Sequence, residues 1–178
     1  TRSITVTGTN NRAVITDNRD NTTATALTFT KNGTGITVGD SFTITDADDT
    51  NLDSAVIRIS AGHLSTDSLF FTATPSGITS YYTPGGDSIT LSGSKILGDY
   101  ETALSNLQFK NTSNTLASGT RSITFVVRDV NILGKEWSTL VTRSVTVTGT
   151  NNRAVVTDNR DNTTATALTF TENGTGIT

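Results

Sequence analysis

Alternation of apolar residues with Thr and Ser is the dominant pattern along the chain. Ser54–Ser60 (SAVIRIS) and Ser122–Asp129 (SITFVVRD) place apolar side chains at alternate positions. A period of two is typical of strands with one buried face, and β-branched Thr favours the same conformation. Further segments read as strands are Ser3–Gly8, Thr25–Thr30, Ser41–Thr45, Ser68–Ala73, Gly77–Thr83, Asp87–Gly93, Leu107–Asn111 and Ser138–Gly149. Short strands separated by Gly, Pro and Asn turns predict an all-β fold, an antiparallel sandwich.

One segment departs from this two-residue period. In Gly98–Leu107 (GDYETALSNL) the apolar residues recur at the i, i+3, i+4, i+7 spacing of an amphipathic helix. These residues are Tyr100, Ala103, Leu104 and Leu107. Asp99 is of a residue type that caps helix N-termini through a side-chain oxygen. The sequence therefore predicts one short α-helix near residues 99–106, with Asp99 as its N-cap.

The two ends of the chain are near-identical copies of one segment. Residues 1–37 and 142–178 differ only at Ile4 against Val145, Ile15 against Val156 and Lys31 against Glu172. The copies start 141 residues apart, far more than the roughly 20–50 residues of a solenoid unit. Each period is therefore a whole domain of a tandem array, and we expect the natural protein to be much longer.

The repeat predicts how the chain divides into domains. We expect residues 1–10 to be the end strand of a preceding repeat, residues 11–150 to form one full β-sandwich repeat, and residues 151–178 to begin an incomplete next repeat. One copy of the duplicated strand should complete the sandwich. The other copy should hang loose or pair with another molecule, because an unpaired strand edge invites such pairing.

Composition excludes several classes of function. The chain has 178 residues, a net charge of −3, one His and no Cys. Without Cys there is no disulfide framework, thiolate metal site or Cys nucleophile, and one His cannot form a multi-His metal site. The mild acidity argues against a nucleic-acid partner. No apolar run approaches the ~18 residues that span a bilayer, so we expect no membrane span.

The densest acidic cluster is the run Asp46-Ala47-Asp48-Asp49. Alternate carboxylates in a flexible loop suit Ca²⁺, which takes six to eight oxygen ligands. The same residues also suit a solvated turn capped by its own side chains, so both interpretations stay open. A second acidic spot, at Asp17 and Asp20 and again at Asp158 and Asp161, has an Arg between its carboxylates in each copy. An internally neutralised loop is the better interpretation there.

No catalytic constellation is evident. His63 (SAGHLST) has no visible partner set, and the chain contains no GxSxG motif. Trp137 and the pair Tyr81-Tyr82 offer a sugar-stacking platform, although aromatic side chains also anchor small sandwich cores. A carbohydrate- or surface-binding module, repeated for avidity, is therefore the alternative to a structural module, and we expect no enzyme activity.

Five segments, RSVTVTGTNN, TENGTGIT, TDADDTNLDSAVIRIS, LSGSKILGDYETALSNLQFKNTS and RSITFVVRD, resemble the cadherin-like tandem repeats of giant bacterial surface and RTX-type adhesins. The resemblance covers nearly the whole period. It implies a Greek-key (cadherin- or Ig-like) sandwich that works as a non-catalytic extender outside the cell, on the bacterial surface. Its partners would be adjacent copies of the same repeat and an unknown host or environmental surface ligand.

The resemblance also implies Ca²⁺ at the module junctions. Its acidic loop falls on Asp46 and Asp48, and its post-strand Asp falls on Asp129. Its junction falls on Asn10 and Asn11, and its early Glu is Glu172 in the second copy.

Departures from the family pattern lower the expected affinity. Where the family's junction reads Asn-Asp-Ala-Pro, this chain has Asn10-Asn11-Arg12-Ala13, and the first copy has Lys31 at the position of the early Glu. Each change removes negative charge or adds positive charge beside the implied ion. Because ligand charge tunes Ca²⁺ affinity, we expect weak binding at this junction or none.

Overall fold

The fold is built from eleven strands and one helix within the part of the chain that the structure covers. The structure, a computed structural model, describes residues 1–19, 27–31, 33–113, 118–131 and 133–149. The elements are β1 (Val14–Asp17), β2 (Leu27–Thr30), β3 (Ile36–Thr37), β4 (Phe42–Thr45), β5 (Asn51–Ala61), β6 (Asp67–Phe71), β7 (Thr79–Tyr82), β8 (Ser88–Ile96), α1 (Leu97–Ser105), β9 (Leu107–Asn111), β10 (Gly119–Asp129) and β11 (Val141–Thr148). The prediction of an all-β architecture with one short helix is confirmed.

The strands form three sheets that share one core. A six-stranded sheet has the order β2-β11-β10-β5-β8-β7, a three-stranded sheet the order β3-β9-β6, and β1 pairs with β4. Phe29 of β2 meets Phe109 of β9 edge-on, with ring centroids 5.7 Å apart. Phe42 of β4 lies 4.7 Å from Phe125 of β10. The six-stranded sheet therefore packs against both smaller sheets.

The alternation in the sequence decides which face of each strand is buried. Along β10, Ile123, Phe125 and Val127 are buried while the residues between them are partly exposed. Along β11, Arg143, Val145 and Val147 point inward in the same way. Burial of the Ile, Phe and Val side chains among these residues contributes roughly 1.5–3 kcal/mol each.

One strand pair departs from the antiparallel prediction. β2 runs parallel to β11, with Leu27 opposite Val145 and Thr30 opposite Thr148, while the other pairs are antiparallel. Parallel neighbours need a long connection, and here β2 and β11 lie at opposite ends of the sequence. Alternation within each strand carries no information on this direction, so the pattern missed it.

The helix begins earlier than predicted, and its predicted N-cap is wrong. Ile96 is the N-cap residue and makes no side-chain capping bond, while Asp99 lies in the first turn, where a carboxylate is favourable to the helix dipole.

Tyr100 is buried, and its hydroxyl donates to the Gly93 carbonyl oxygen at 2.8 Å. Gly93 has φ +144, and a Cβ there would lie 2.1 Å from the Gly77 carbonyl oxygen.

The two copies of the duplicated strand adopt different structures. β11, in the second copy, pairs with β10 on one side and β2 on the other. Residues 1–8 in the first copy carry no strand, and Ile4 and Val6 are each 87% exposed. The strand predicted at Ser3–Gly8 therefore does not form here, because β11 already occupies the position between β10 and β2. Residues 151–178, which the sequence predicts to begin the next repeat, lie outside the described residues.

Candidate metal centre at one pole of the module

The acidic loop and the end of β10 lie at the same end of the molecule. β4 and β10 both end there, since β5 starts directly after the acidic loop and runs antiparallel to β10. We call this end, formed by residues 46–50, 129–131 and 133–136, the acidic pole. β1 is antiparallel to β4, and β11 is antiparallel to β10. The linker before β1 therefore meets the acidic pole, and β11 runs away from it to the opposite pole.

Three carboxylates converge at the acidic pole. Oxygens of Asp46, Asp49 and Asp129 lie within 4.8 Å of one another. That spacing is about twice the 2.3–2.6 Å Ca²⁺–oxygen distance, so one cation of this size could contact all three. Asp129 is fully buried, and its Oδ1 accepts a hydrogen bond from the Glu136 backbone N–H at 2.8 Å.

The linker residue Asn10 reaches into this cluster. Its Nδ2 donates to Asp129 Oδ2 and to the Gly134 carbonyl oxygen, each at 2.8 Å. The next residue, Asn11, donates its backbone N–H to Asp48 Oδ1 at 3.2 Å. The linker before β1 is therefore bonded both to the acidic loop after β4 and to the loop after β10.

A second amide donates hydrogen bonds to the cluster from the β10 side. Nδ2 of Asn131 donates to Asp49 Oδ2 at 2.9 Å and to Asp48 Oδ2 at 3.1 Å. The side chain is fixed in turn, because its Oδ1 accepts the Leu133 backbone N–H at 2.9 Å. Asn131 thus joins the loop after β10 to the acidic loop after β4.

Two oxygens at the pole have no hydrogen-bond donor. Asn10 Oδ1 and Asp46 Oδ2 are buried atoms without a partner among the described residues. An unpaired buried oxygen costs about 1–3 kcal/mol, and a cation would remove that cost. Burial raises the pKa of the Asp46 carboxyl above its ordinary value, and the Asp48 carboxylate adds to the rise against two lowering backbone hydrogen bonds. The donor set consists of hard oxygens, which fits Ca²⁺.

Neighbouring elements hold the two loops in place. Glu101 of α1 accepts the Ile44 backbone N–H at 2.6 Å, which fixes the end of β4 against the helix. On the β10 side, Asp53 pairs with Arg128 at 2.8 Å and with Lys135. Arg128 also lies over the Trp137 ring, 5.1 Å from its centroid.

The structure brings together most of the residues singled out in the sequence. Asp46 and Asp129 belong to the triad, Asn10 contacts it through its side chain, and Asp48 and Asn11 bond each other at its rim. Glu172 lies outside the described residues, as do Asp20, Asp158 and Asp161.

Sequence reasoning left Asp49 and Asn131 out of the proposed ligand set. Asp49 was visible as the fourth residue of the run DADD, and Asn131 as the second residue after Asp129. Lys31, in contrast, lies at the end of β2, where its backbone N–H donates to Thr148 at 3.1 Å. That position is at the opposite pole from the triad of the same module.

The aromatic residues do not form one platform. Tyr81 and Tyr82 are neighbours on the edge strand β7, so their side chains point to opposite faces of the sheet. Trp137 bridges to Arg128 on β10, and β8 and β5 separate β10 from β7. His63 follows β5, and its buried Nε2 has no hydrogen-bond partner among the described residues.

Comparison of the chain with protein-family models, with curated proteins and with solved structures finds no match. Among the described residues, no helix has the length and apolar character required to cross a membrane.

Proposed function

We propose that this chain is a non-catalytic extender module of a long tandem-repeat adhesin, with Ca²⁺ stiffening the junctions between modules. It would work outside the cell, on the bacterial surface, and project a binding region towards a host or environmental ligand. The observation that carries this proposal is the near-identical 37-residue segment that recurs after 141 residues. A domain repeated at this fidelity is suited to add length.

The path of the chain supports the same function. The linker meets the module at the acidic pole, and β11 ends at the opposite pole. Copies joined through such ends would follow one another in line rather than fold back. The parallel pairing of β2 with β11 and the two smaller sheets facing the six-stranded sheet favour a Greek-key, cadherin- or Ig-like sandwich as the finer description.

The acidic pole supplies the proposed calcium site. Asp46, Asp49, Asp129 and the unpartnered Asn10 Oδ1 would hold the ion. Asn10 belongs to the linker, so an ion bound there would fix the linker to the module. With a millimolar dissociation constant and a tenfold excess of ion, the site adds about 1.4 kcal/mol. That is enough to order a junction and too little to decide whether the sandwich folds.

Small-angle X-ray scattering on a chain of two or more periods tests the proposal. We expect an elongated particle whose maximum dimension grows by about one module length per added period, and whose flexibility increases in chelator. Asp129→Asn should remove the calcium effect, and Asp87→Asn, a single-charge change at the exposed turn before β8, should retain it. A compact particle would contradict the extender function, and an identical response of the two variants would contradict the calcium site.

A further inference from the structure

The first and last strands of the module are the points at which a load on the chain would enter and leave. β1 follows the linker, and β11 is the last described strand. Both run from the acidic pole towards the opposite pole. A pull on the two ends therefore drives β1 towards its own N-terminus and β11 towards its own C-terminus. The two strands must slide past each other in opposite directions before the module opens.

The two strands are bonded to the rest of the module to different extents. β1 has four residues, and within the described part of the chain its backbone ladder reaches only β4, from Val14 opposite Thr45 to Asp17 opposite Phe42. β11 has eight residues and is bonded on both sides, by β10 and by β2. Strand β1 is therefore the weaker hold, and any contact that ties it to β11 bears directly on resistance to load.

One ion pair makes that tie. Arg143 of β11 donates from Nε to Asp17 Oδ2 at 2.9 Å and from Nη2 to Asp17 Oδ1 at 2.6 Å. Its side chain is only 3% exposed. The third nitrogen, Nη1, donates to the Val38 carbonyl oxygen at 2.8 Å, and the guanidinium lies 3.7 Å from the centroid of the Phe42 ring. The guanidinium is held on several sides and cannot follow Asp17 if β1 moves.

We propose that the Arg143–Asp17 pair is a mechanical latch that closes each module against load, an inference that rests on the proposed extender function. Bidentate pairing between a guanidinium and a carboxylate fixes both distance and direction. Burial of the guanidinium makes rupture costly, because Arg143 then keeps only the longer contact of Nη1 with Asp40 Oδ1 at 3.4 Å as a charged partner among the described residues. The latch is present once per period in the sequence, since Arg2 repeats Arg143 and Asp158 repeats Asp17.

Single-molecule force spectroscopy on one period, pulled from its two ends, tests the latch. Asp17→Asn should make unfolding at a fixed force about tenfold faster, which corresponds to about 1.4 kcal/mol of barrier. The matched control is Asp53→Asn. Asp53 also makes a bidentate pair, with Arg128 at 2.8 and 3.1 Å, but that pair joins β5 to β10 inside the six-stranded sheet. Asp53→Asn should lower the equilibrium stability at pH 7, because its lowered pKa shows that the charged form is stabilised, but it should leave the end-to-end unfolding force near that of the wild type.

A second pulling direction separates the latch from general weakening. The chain has no Cys, so Ser60→Cys on β5 and Ser92→Cys on β8 provide unique attachment points on exposed positions. Pulled through them, the Asp17→Asn variant should resist as the wild type does. Equal weakening in both directions, or no weakening end to end, overturns the proposal.

If Asp17→Asn fails to fold, Arg143→Lys replaces it. Lysine keeps the charge and loses the bidentate contact, so it should still weaken end-to-end resistance, and an unchanged force would overturn the latch. Because one period suffices for these measurements, their outcome is independent of the scattering test. A compact particle in the scattering experiment would refute the extender function, while the force measurements on one period would still show whether the Arg143–Asp17 pair resists load.

Discussion

Replacement of Asp46 by Asn should stabilise the module in the absence of calcium. Asp46 Oδ1 accepts the backbone N–H groups of Asp48 and Asp49 at 3.1 and 3.2 Å, and an Asn oxygen can accept both. The buried Oδ2, which has no donor among the residues that the structure describes, is replaced by an amide NH₂ group that can donate to Asp49 or Asp129. The substitution therefore keeps the turn and removes a repulsive charge.

The magnitude follows from the spacing of the triad. At 4.8 Å, the upper limit of the spacing within the triad, two unit charges repel by about 3.5 kcal/mol at an effective dielectric constant of ~20. The amides of Asn10 and Asn131 already offset part of this repulsion. We therefore expect Asp46→Asn to raise the free energy of unfolding by about 1–3 kcal/mol in chelator. In calcium at tenfold its dissociation constant, the wild type should gain about 1.4 kcal/mol and the variant much less.

Urea denaturation followed by circular dichroism measures both quantities, provided that the slope against urea stays constant between variants. Asp87→Asn is the control, since it removes one partly exposed carboxylate away from the triad, which pairs with the exposed Arg58 at 3.5 Å. Because such a pair contributes about 0–1 kcal/mol, the control should lower stability by at most about 1 kcal/mol and leave the gain from calcium unchanged. A variant that is less stable than the wild type in chelator, or that gains as much from calcium, would refute the account of the acidic pole.

Three further predictions concern the body of the module. Tyr100→Phe deprives the Gly93 carbonyl oxygen of its donor and should cost about 1 kcal/mol in thermal or urea unfolding; no change would show that the hydroxyl bond is not stabilising. Asp67→Asn removes the carboxylate that faces the buried Arg121 at 2.8 Å and should lower the free energy of unfolding by about 3 kcal/mol or more. A decrease of less than 1 kcal/mol would contradict this prediction. Burial raises the pKa of Asp53, but the hydrogen bonds and charges of Arg128 and Lys135 lower it by more, so the pKa lies below the ordinary 3.8. The stability that the charged Asp53 contributes is present above 3.8 and is lost as the pH falls through the lower folded-state pKa. Stability of the wild type and Asp53→Asn, compared from pH 7 to pH 2, should converge at the acidic end.

The sequence predicted strands well where alternation was regular and one face was buried. SITFVVRD and SAVIRIS lie within β10 and β5, and GDYETALSNL contains most of α1. It could not predict the parallel pairing of β2 with β11, because alternation gives a strand its faces and not its neighbour. It also could not decide between two copies of one strand, since segments that differ only at Ile4 against Val145 adopt different structures according to which copy has neighbouring strands.

The candidate site was predictable in part for a similar reason. A run of carboxylates in one loop shows a local excess of charge, so Asp46 and Asp48 were visible directly. The contribution of Asn131 depends on the loop after β10 folding back beside the loop after β4, a contact between residues more than 80 positions apart. Asp129 was visible as the residue that ends the strand SITFVVRD. The resemblance supplied Asn10, whose contact with Asp129 joins residues 119 positions apart.

The position of β2 has a consequence for how the chain reaches its native state. Among the described residues, its ladder partner is the final strand alone, so an early strand must wait until synthesis has nearly finished the domain. Pairings at such sequence separation form slowly. In the proposed array, the last strand of one copy would resemble that of the next, as Val141–Thr148 resembles the first residues of this chain. An unpaired β2 could then pair with the last strand of a neighbouring copy, and domain swapping is the form of misfolding that we expect for such an array.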